Sequence, residues 1–389
     1  MNTTIVNHVS ILARGVKGAA GAKRHGLHHA LVRNDGATLS VTATDLEVCA
    51  VASIAAPADL PLGASIVSTV TGEPVADRYP EDYPAVGSLD GAIVASLRTT
   101  FGEVRRLVDH IAPACDDESS RYALGGILLD WEGDGSPAFA VGTDGRRMHI
   151  ARFAGHATAP ATAIVSPRLF AAFVAAVKAT GKVIGRKSLD SDGVTITIST
   201  QGVEVAWFDD IDGALVKAVC RLMEGRFPTW RWVVADDAAN VGHTSDAGCL
   251  GPWCAAVVKA TSAAAKAAAA AAVAALPAEF QGTDRRAEAK RRSVGGAAAA
   301  RHPRGVRLDR DGATALGCPR RTGGSFPWTV SVDPAFLSEA LAAAAAWGAT
   351  PRVTIHATNA QSAIRIPGGA WGDIRGAGFL AVVMPLAND

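Results

Sequence analysis

Apolar and polar residues alternate with a period of two in three stretches of this chain, 30–52, 123–152 and 305–318. Each stretch is broken by a short turn, Asn34-Asp35-Gly36, Asp134-Gly135 or Asp311-Gly312. Alternation sends one face of a strand into a core, and Asp-Gly accepts the left-handed backbone of a tight turn, so each stretch predicts a β-hairpin. The first two share a Thr-Asp pair, Thr44-Asp45 and Thr143-Asp144, at the end of the second strand. Between them lies a different pattern. Residues 166–180 (SPRLFAAFVAAVKAT) and 333–347 (DPAFLSEALAAAAAW) each open with Ser or Asp before Pro, an N-cap followed by proline at the first helical position. Strands follow each helix, at 194–199 with 203–208 and at 353–357 with 362–366. A third echo links ADRYPEDYPAV at 76–86 with EGRFPTWRWVV at 224–234, equivalent exits from two successive domains.

Internal repetition of this kind predicts one α+β unit used three times, with helices on one face of antiparallel sheets. The expected domains are 1–90 (shortened), 91–240 and 241–389, the last interrupted by an Ala-rich, basic insertion at about 262–303.

Composition narrows the function. Hydrophobic residues make up 49% of the 389 and charged residues 19%, enough for a real core. The formal net charge is +1. A nucleic-acid binder with that balance must place its basic and acidic residues on different faces. The longest apolar run, 267–276, is mostly alanine and too short to span a bilayer. Residues 1–10 lack the order of a signal peptide, so a cytoplasmic location is expected. Cys49, Cys115, Cys220, Cys249, Cys254 and Cys318 form no CxxC pair and read as free thiols. His28-His29 has no third ligand at metal spacing. Asp144 beside Arg146 and Arg147 has no nucleophile or base near it in sequence, and Asp-Gly after a strand is turn chemistry. Neither an enzyme, nor a metal site, nor a cofactor is expected.

Six segments carry a resemblance: LSVTATDLEV at 39–48, RYALGGILL at 121–129, VGTDGRRMHIA at 141–151, LMEGRFPTWRWVV at 222–234, RGVRL at 304–308 and AVVMPL at 381–386. In order and spacing they resemble the bacterial DNA polymerase III beta subunit, the beta sliding clamp family. The resemblance implies a DNA-clamp fold with helices lining a pore and sheets outside, closed head to tail as a homodimeric ring. It implies a processivity factor that encircles double-stranded DNA without reading sequence. Such a ring tethers the replicative polymerase, clamp loader and repair proteins through short linear motifs.

On this reading the DNA-facing groups are Lys17, Lys23 and Arg24 near the first helix, Arg98, Arg105 and Arg106 on a helix at 97–111, Arg168 and Lys178 on the helix at 167–180, and Lys259. The resemblance places a partner-peptide cleft at Leu124, Thr143, Gly145, Arg146, Arg147, Met148, Pro228, Val233, Val382, Val383, Met384, Pro385 and Leu386. Two methionines suit a groove that adapts to several partners. The chain also departs from the family. Trp232 stands where a basic residue is common, and the tail ends Ala387-Asn388-Asp389. The stretch from Pro61 to Ala85 lacks a helix and several strands, the part that supplies one side of the subunit interface. The insertion lies in the domain that supplies the other side. Two readings follow: closure through a remodelled interface in which the insertion packs on the shortened first domain, or an accessory paralogue that binds clamp-motif peptides without closing on DNA.

Overall fold

A computed structural model describes residues 3–20, 27–58, 60–76, 78–84, 87–116, 122–133, 135–234, 241–277, 288–294, 306–309, 312–315, 330–347, 352–357, 363–369 and 378–385. The chain forms two compact units: the described residues up to Thr229, together with Gly378, make the first, and the other described residues from Trp230 make the second.

The first unit opens with helix α1 (Thr3–Val16), followed by strands β1 (His29–Asn34), β2 (Thr38–Thr44), β3 (Val48–Ala55) and β4 (Gly63–Ser68). Then come β5 (Ile93–Thr100), α2 (Phe101–Arg106), β6 (Ile127–Trp131), β7 (Pro137–Thr143), β8 (Arg147–His156), β9 (Ala161–Val165), α3 (Pro167–Val183), β10 (Gly193–Ser199), β11 (Gly202–Asp209) and β12 (Ala214–Arg221). The hairpins read from the alternation form in register: Val32 faces Val41, and Val141 faces Ile150. The Asp35 carboxylate accepts from the Ala37 and Thr38 amides at 2.9 and 2.7 Å, the Asx chemistry expected of that turn.

The first two predicted domains share one antiparallel sheet, β4-β1-β2-β3-β12-β11-β10-β5. Its seam is the β3–β12 pair, running from Val48 opposite Cys220 to Ser53 opposite Leu215. A second sheet layer of this unit runs β8-β7-β6-β9. Helices α1 and α3 lie together against the long sheet, with Leu12, Val16, Leu169, Phe170, Phe173 and Val177 buried. Small residues let the two helices approach closely. A Cβ added at Gly15 would stand 2.4 Å from the Ala179 Cβ, and one at Gly18 would stand 3.3 Å from the Ala172 Cα.

Among the described residues, the stretch up to residue 90 holds one α-helix, α1, and the four strands β1–β4. After β4 the chain turns back on itself. The Ser68 amide donates to the Glu73 carbonyl at 2.9 Å, and the Val75 amide to the Ile66 carbonyl at 2.9 Å. This turn seats on α1: the Ser10 hydroxyl donates to the Thr71 carbonyl at 2.8 Å, and Arg14 Nε to the Val70 carbonyl at 3.0 Å. Gly72, at φ 79°, lies so close to Ser10 that a Cβ would fall 2.4 Å from the Ser10 Cα. Residues 68–75 thus form a turn seated on the surface of α1.

The second unit contains α4 (Trp230–Val234), β13 (Val241–Asp246), α5 (Ala247–Ala274), the described part of α6 (288–294), β14 (Val306–Asp309), β15 (Gly312–Ala315), β16 (Val330–Val332), α7 (Pro334–Trp347), β17 (Arg352–Ala357), β18 (Ile364–Gly369) and β19 (Gly378–Val383). Its sheets run β13-β17-β18-β19 and β15-β14-β16. Trp347 of α7 stacks on Phe379 at 6.1 Å between ring centroids. Helix α5 packs on α7 through Leu250, Cys254, Val257, Thr261 and Ala265, spaced by three and four residues as a helical stripe requires.

Residues 262–274 continue α5 without a break, because alanine propagates a helix already nucleated by packing. One sequence expectation is corrected here. The helix expected at 97–111 opens at Phe101, so Arg98 lies on strand β5, opposite Thr195. A capping box fixes that start: the Thr100 hydroxyl accepts from the Glu103 amide at 3.3 Å and the Glu103 carboxylate accepts from the Thr100 amide. By length and hydropathy alone, Pro252–Ala274 would reach across a membrane. That hydropathy comes from alanine, and the helix carries Lys259, Lys266 and a stripe packed on α7.

Candidate functional site

The exposed faces of α1 and α3 carry cations. Arg14 and, in the turn after α1, Lys17 are exposed, as are Arg168, Lys178 and Lys182 on α3. Helical spacing puts Arg168, Ala171, Lys178 and Lys182 on one side of α3, opposite the buried Leu169, Phe170, Phe173 and Val177. Neither helix contains Asp or Glu, and neither does α5, which carries Lys259 and Lys266 on its exposed surface. In a chain with Lys+Arg 38 and Asp+Glu 37, this is a strong segregation of charge.

The cations are held differently. The Arg168 guanidinium is paired with the Asp45 carboxylate and donates to the Gly18 carbonyl at 3.2 Å. Arg105 pairs with Asp190 at 3.0 Å, and Arg106 is half-buried. Lys17, Lys178 and Lys182 have no ion pair among the described residues. Arg98 is exposed on β5. Lys23 and Arg24 lie outside the described residues. Lys182 and Arg14 were missed in the sequence, although Lys182 falls four residues after Lys178 on the same helix face, a spacing that could have shown it.

The residues expected to take peptides form two groups. In the first unit, Thr143, Gly145, Arg146, Arg147 and Met148 come together in the β7–β8 turn. The Thr143 hydroxyl donates to the Arg147 carbonyl at 2.6 Å and accepts from the Gly145 amide at 3.1 Å. The Asp144 carboxylate accepts from the Arg146 and Arg147 amides at 2.8 and 3.0 Å and from Arg147 Nε at 3.2 Å. Arg146 is left exposed while Thr143 and Met148 are buried. Leu124 is buried in the turn 122–125, and Pro228 is exposed. In the second unit, Val382 and Val383 are buried in β19, Met384 emerges exposed at its end and Pro385 is half-buried. The Val233 carbonyl accepts from Arg365 at 3.2 Å. Trp232 beside it is 83% exposed. Leu386 lies outside the described residues.

Beneath the β7–β8 turn, His149 is fully buried, with Nδ1 2.5 Å from the His110 carbonyl. Burial pushes its pKa down to about 4. Burial also pushes the Cys49 and Cys220 thiols up to about 12, so neither is a poised nucleophile. Among the described residues no three His, Cys, Asp or Glu side chains gather as metal ligands.

No family model matches the chain. It is 25% identical over 171 residues, 44% of its length, to the beta sliding clamp of Treponema pallidum (strain Nichols), and spans 39% of the length of that relative. Its fold is similar to the crystal structure of the DNA polymerase III beta subunit from Thermotoga maritima, with a TM-score of 0.68 at 12% identity over 99% of this chain and 98% of that one. It is similar also to the Helicobacter pylori beta clamp bound to a DNA ligase peptide, with a TM-score of 0.65 at 10% identity over 98% of both chains. The chain therefore has the DNA-clamp fold of the DNA polymerase III beta subunits, and over 44% of its length it is similar in sequence to a beta sliding clamp.

Proposed function

We propose that the chain is a DNA sliding clamp, a processivity factor that encircles duplex DNA and tethers DNA polymerase and other replication proteins by their peptide motifs. The observation that carries this reading is the charge on α1, α3 and α5: lysines and arginines on their exposed surfaces and no carboxylate along their length. Such faces bind phosphate without reading bases, and mobile lysines make contacts weak enough to slide. The DNA-facing set is Lys17, Lys23, Arg24, Arg98, Arg105, Arg106, Arg168, Lys178 and Lys259, with Lys182 added by its position on α3; Lys23 and Arg24 lie outside the described residues. Arg168 and Arg105 already hold carboxylates, so the unpaired lysines carry most of the phosphate contact.

In this reading partner peptides are taken in the first unit by the β7–β8 turn with Leu124 and Pro228, and in the second unit by Val233, Val382, Val383, Met384 and Pro385; Leu386 lies outside the described residues. The Helicobacter pylori structure of similar fold, a beta clamp bound to a DNA ligase peptide, supports peptide binding as such. Such a protein binds and does no chemistry. Its function is tested on nicked circular DNA: a loaded clamp is retained on the circle and released when the DNA is linearised. Retention that ignores linearisation, or no retention with loader present, overturns the ring.

One observation favours a second reading, an accessory paralogue that binds clamp-motif peptides without closing on DNA. The first domain has a single helix capped by a turn where the family places a second half-domain. Binding of motif peptides without topological retention would establish it.

A further inference from the structure

The turn that shapes the β7–β8 site occurs twice in the first unit. At β2–β3 the Thr44 hydroxyl donates to the Val48 carbonyl at 2.9 Å and accepts from the Leu46 amide at 2.9 Å. The Asp45 carboxylate accepts from the Glu47 and Val48 amides at 3.0 and 2.8 Å. These are the same four bonds, residue for residue, that Thr143 and Asp144 make at β7–β8. Leu46 therefore stands where Gly145 stands in the second copy, and Glu47 where Arg146 stands.

Leu46 is the one non-glycine residue with positive φ among the described residues, at 78°; Gly145 has 85°. A branched apolar side chain in the left-handed region is strained, and Leu46 recovers little by packing, since it is 55% exposed. Strain that the neighbouring copy avoids with glycine marks a position held for something other than stability.

Leu46 lines a cavity of about 660 Å³ with Glu47, Val48 and Cys49, the β12 end at Val219–Leu222, and the strand-linking residues Gly87–Asp90 and Thr200–Gly202. This size suits a bound ligand. Its walls are apolar at Leu46, Val48, Val219 and Leu222. Its charges are the three carboxylates Glu47, Asp90 and Glu224 against one cation, Arg221. The second copy of the turn presents arginines instead.

We propose that this cavity is a second peptide-binding site, taking a short extended segment of a partner protein that alternates apolar with basic residues. It is the repeat-related counterpart of the β7–β8 site with the opposite charge, so the two select different partners. The inference stands on the geometry of the first unit and does not require the ring.

The test is methyl NMR of the full chain, labelled at Leu and Val, titrated with two pools of capped synthetic hexapeptides. One pool alternates Leu or Phe with Lys or Arg, and the other alternates Leu or Phe with Asp or Glu. The basic pool should shift the Leu46, Val48, Val219 and Leu222 methyls saturably, and the acidic pool should not. Leu46→Gly places in this turn the residue its counterpart already has. It should raise the Tm and weaken binding of the basic pool at least tenfold. E47Q together with E224Q should erase the preference between pools. The proposal is overturned by no saturable shift at millimolar peptide, by equal response to both pools, or by unchanged binding in Leu46→Gly. Shifts confined to Val382 and Val383 also overturn it and leave the clamp reading standing, whereas loss of DNA retention with these shifts intact touches the clamp reading alone.

Discussion

Individual side chains are set by local accounts that can be worked out atom by atom. His149 is held neutral inside the first unit, with a folded-state pKa near 4 against 6.5 when unfolded. Between those values the unfolded chain binds the proton and the folded chain does not. The stability contributed is thus complete above about pH 6.5 and is lost as the pH falls toward 4. A shift of this size corresponds to on the order of 3 kcal/mol. His110, lowered in the same direction by burial, adds to the trend. Urea denaturation from pH 7 to 4.5 should therefore show falling stability, and His149→Asn should flatten much of that slope. An unchanged slope would remove His149 as its source. Other residue-scale features could not be foreseen. Thr44-Asp45 was legible as the end of a strand, but Leu46 in a left-handed conformation was not read, because leucine itself disfavours it; the signal was Gly145 at the same place after the second Thr-Asp pair.

Whole elements obey patterns that sequence displays well. The hairpins at 30–52 and 123–152 and the helices after Ser166 and Asp333 formed where alternation and caps placed them, since both signals are local. Elements whose limits depend on context were less legible. The alanine content of 266–276 marks helix, but its continuity with the residues from Ala247 onward was not read, because alanine leaves no polar break or apolar stripe to follow. Strand β5 and helix α2 adjoin without a turn, and only the Thr100–Glu103 capping box separates them. The cationic face of α3 offers an element-scale test. The pair K178E and K182E should lower affinity for duplex DNA and flatten the log–log salt dependence by about two units. Measurement by fluorescence anisotropy between 50 and 200 mM salt decides this. Helicity should not change, because both side chains point to solvent. A salt slope equal to that of the parent would place DNA elsewhere.

Assembly belongs to the whole molecule. A two-subunit ring predicts a mass of twice 39.8 kDa by light scattering, constant over a concentration series. A single-chain mass at every concentration would favour the accessory reading. The likeness to clamps was legible because six motifs keep their order across the chain. The way the shortened domain is completed was not, since it depends on contacts between residues far apart in sequence. Those distances have a temporal side. Strand β3, finished at Ala55, pairs at once with β2 but finds its other neighbour only in β12, which ends at Arg221. During synthesis the N-terminal strands must therefore wait, with one backbone edge unpaired, until most of the first unit has left the ribosome. Non-local pairing of this kind folds slowly and exposes strand edges meanwhile. The first half-domain is thus a dependent part of its successor, and the nascent chain is most vulnerable to aggregation and proteolysis in that interval.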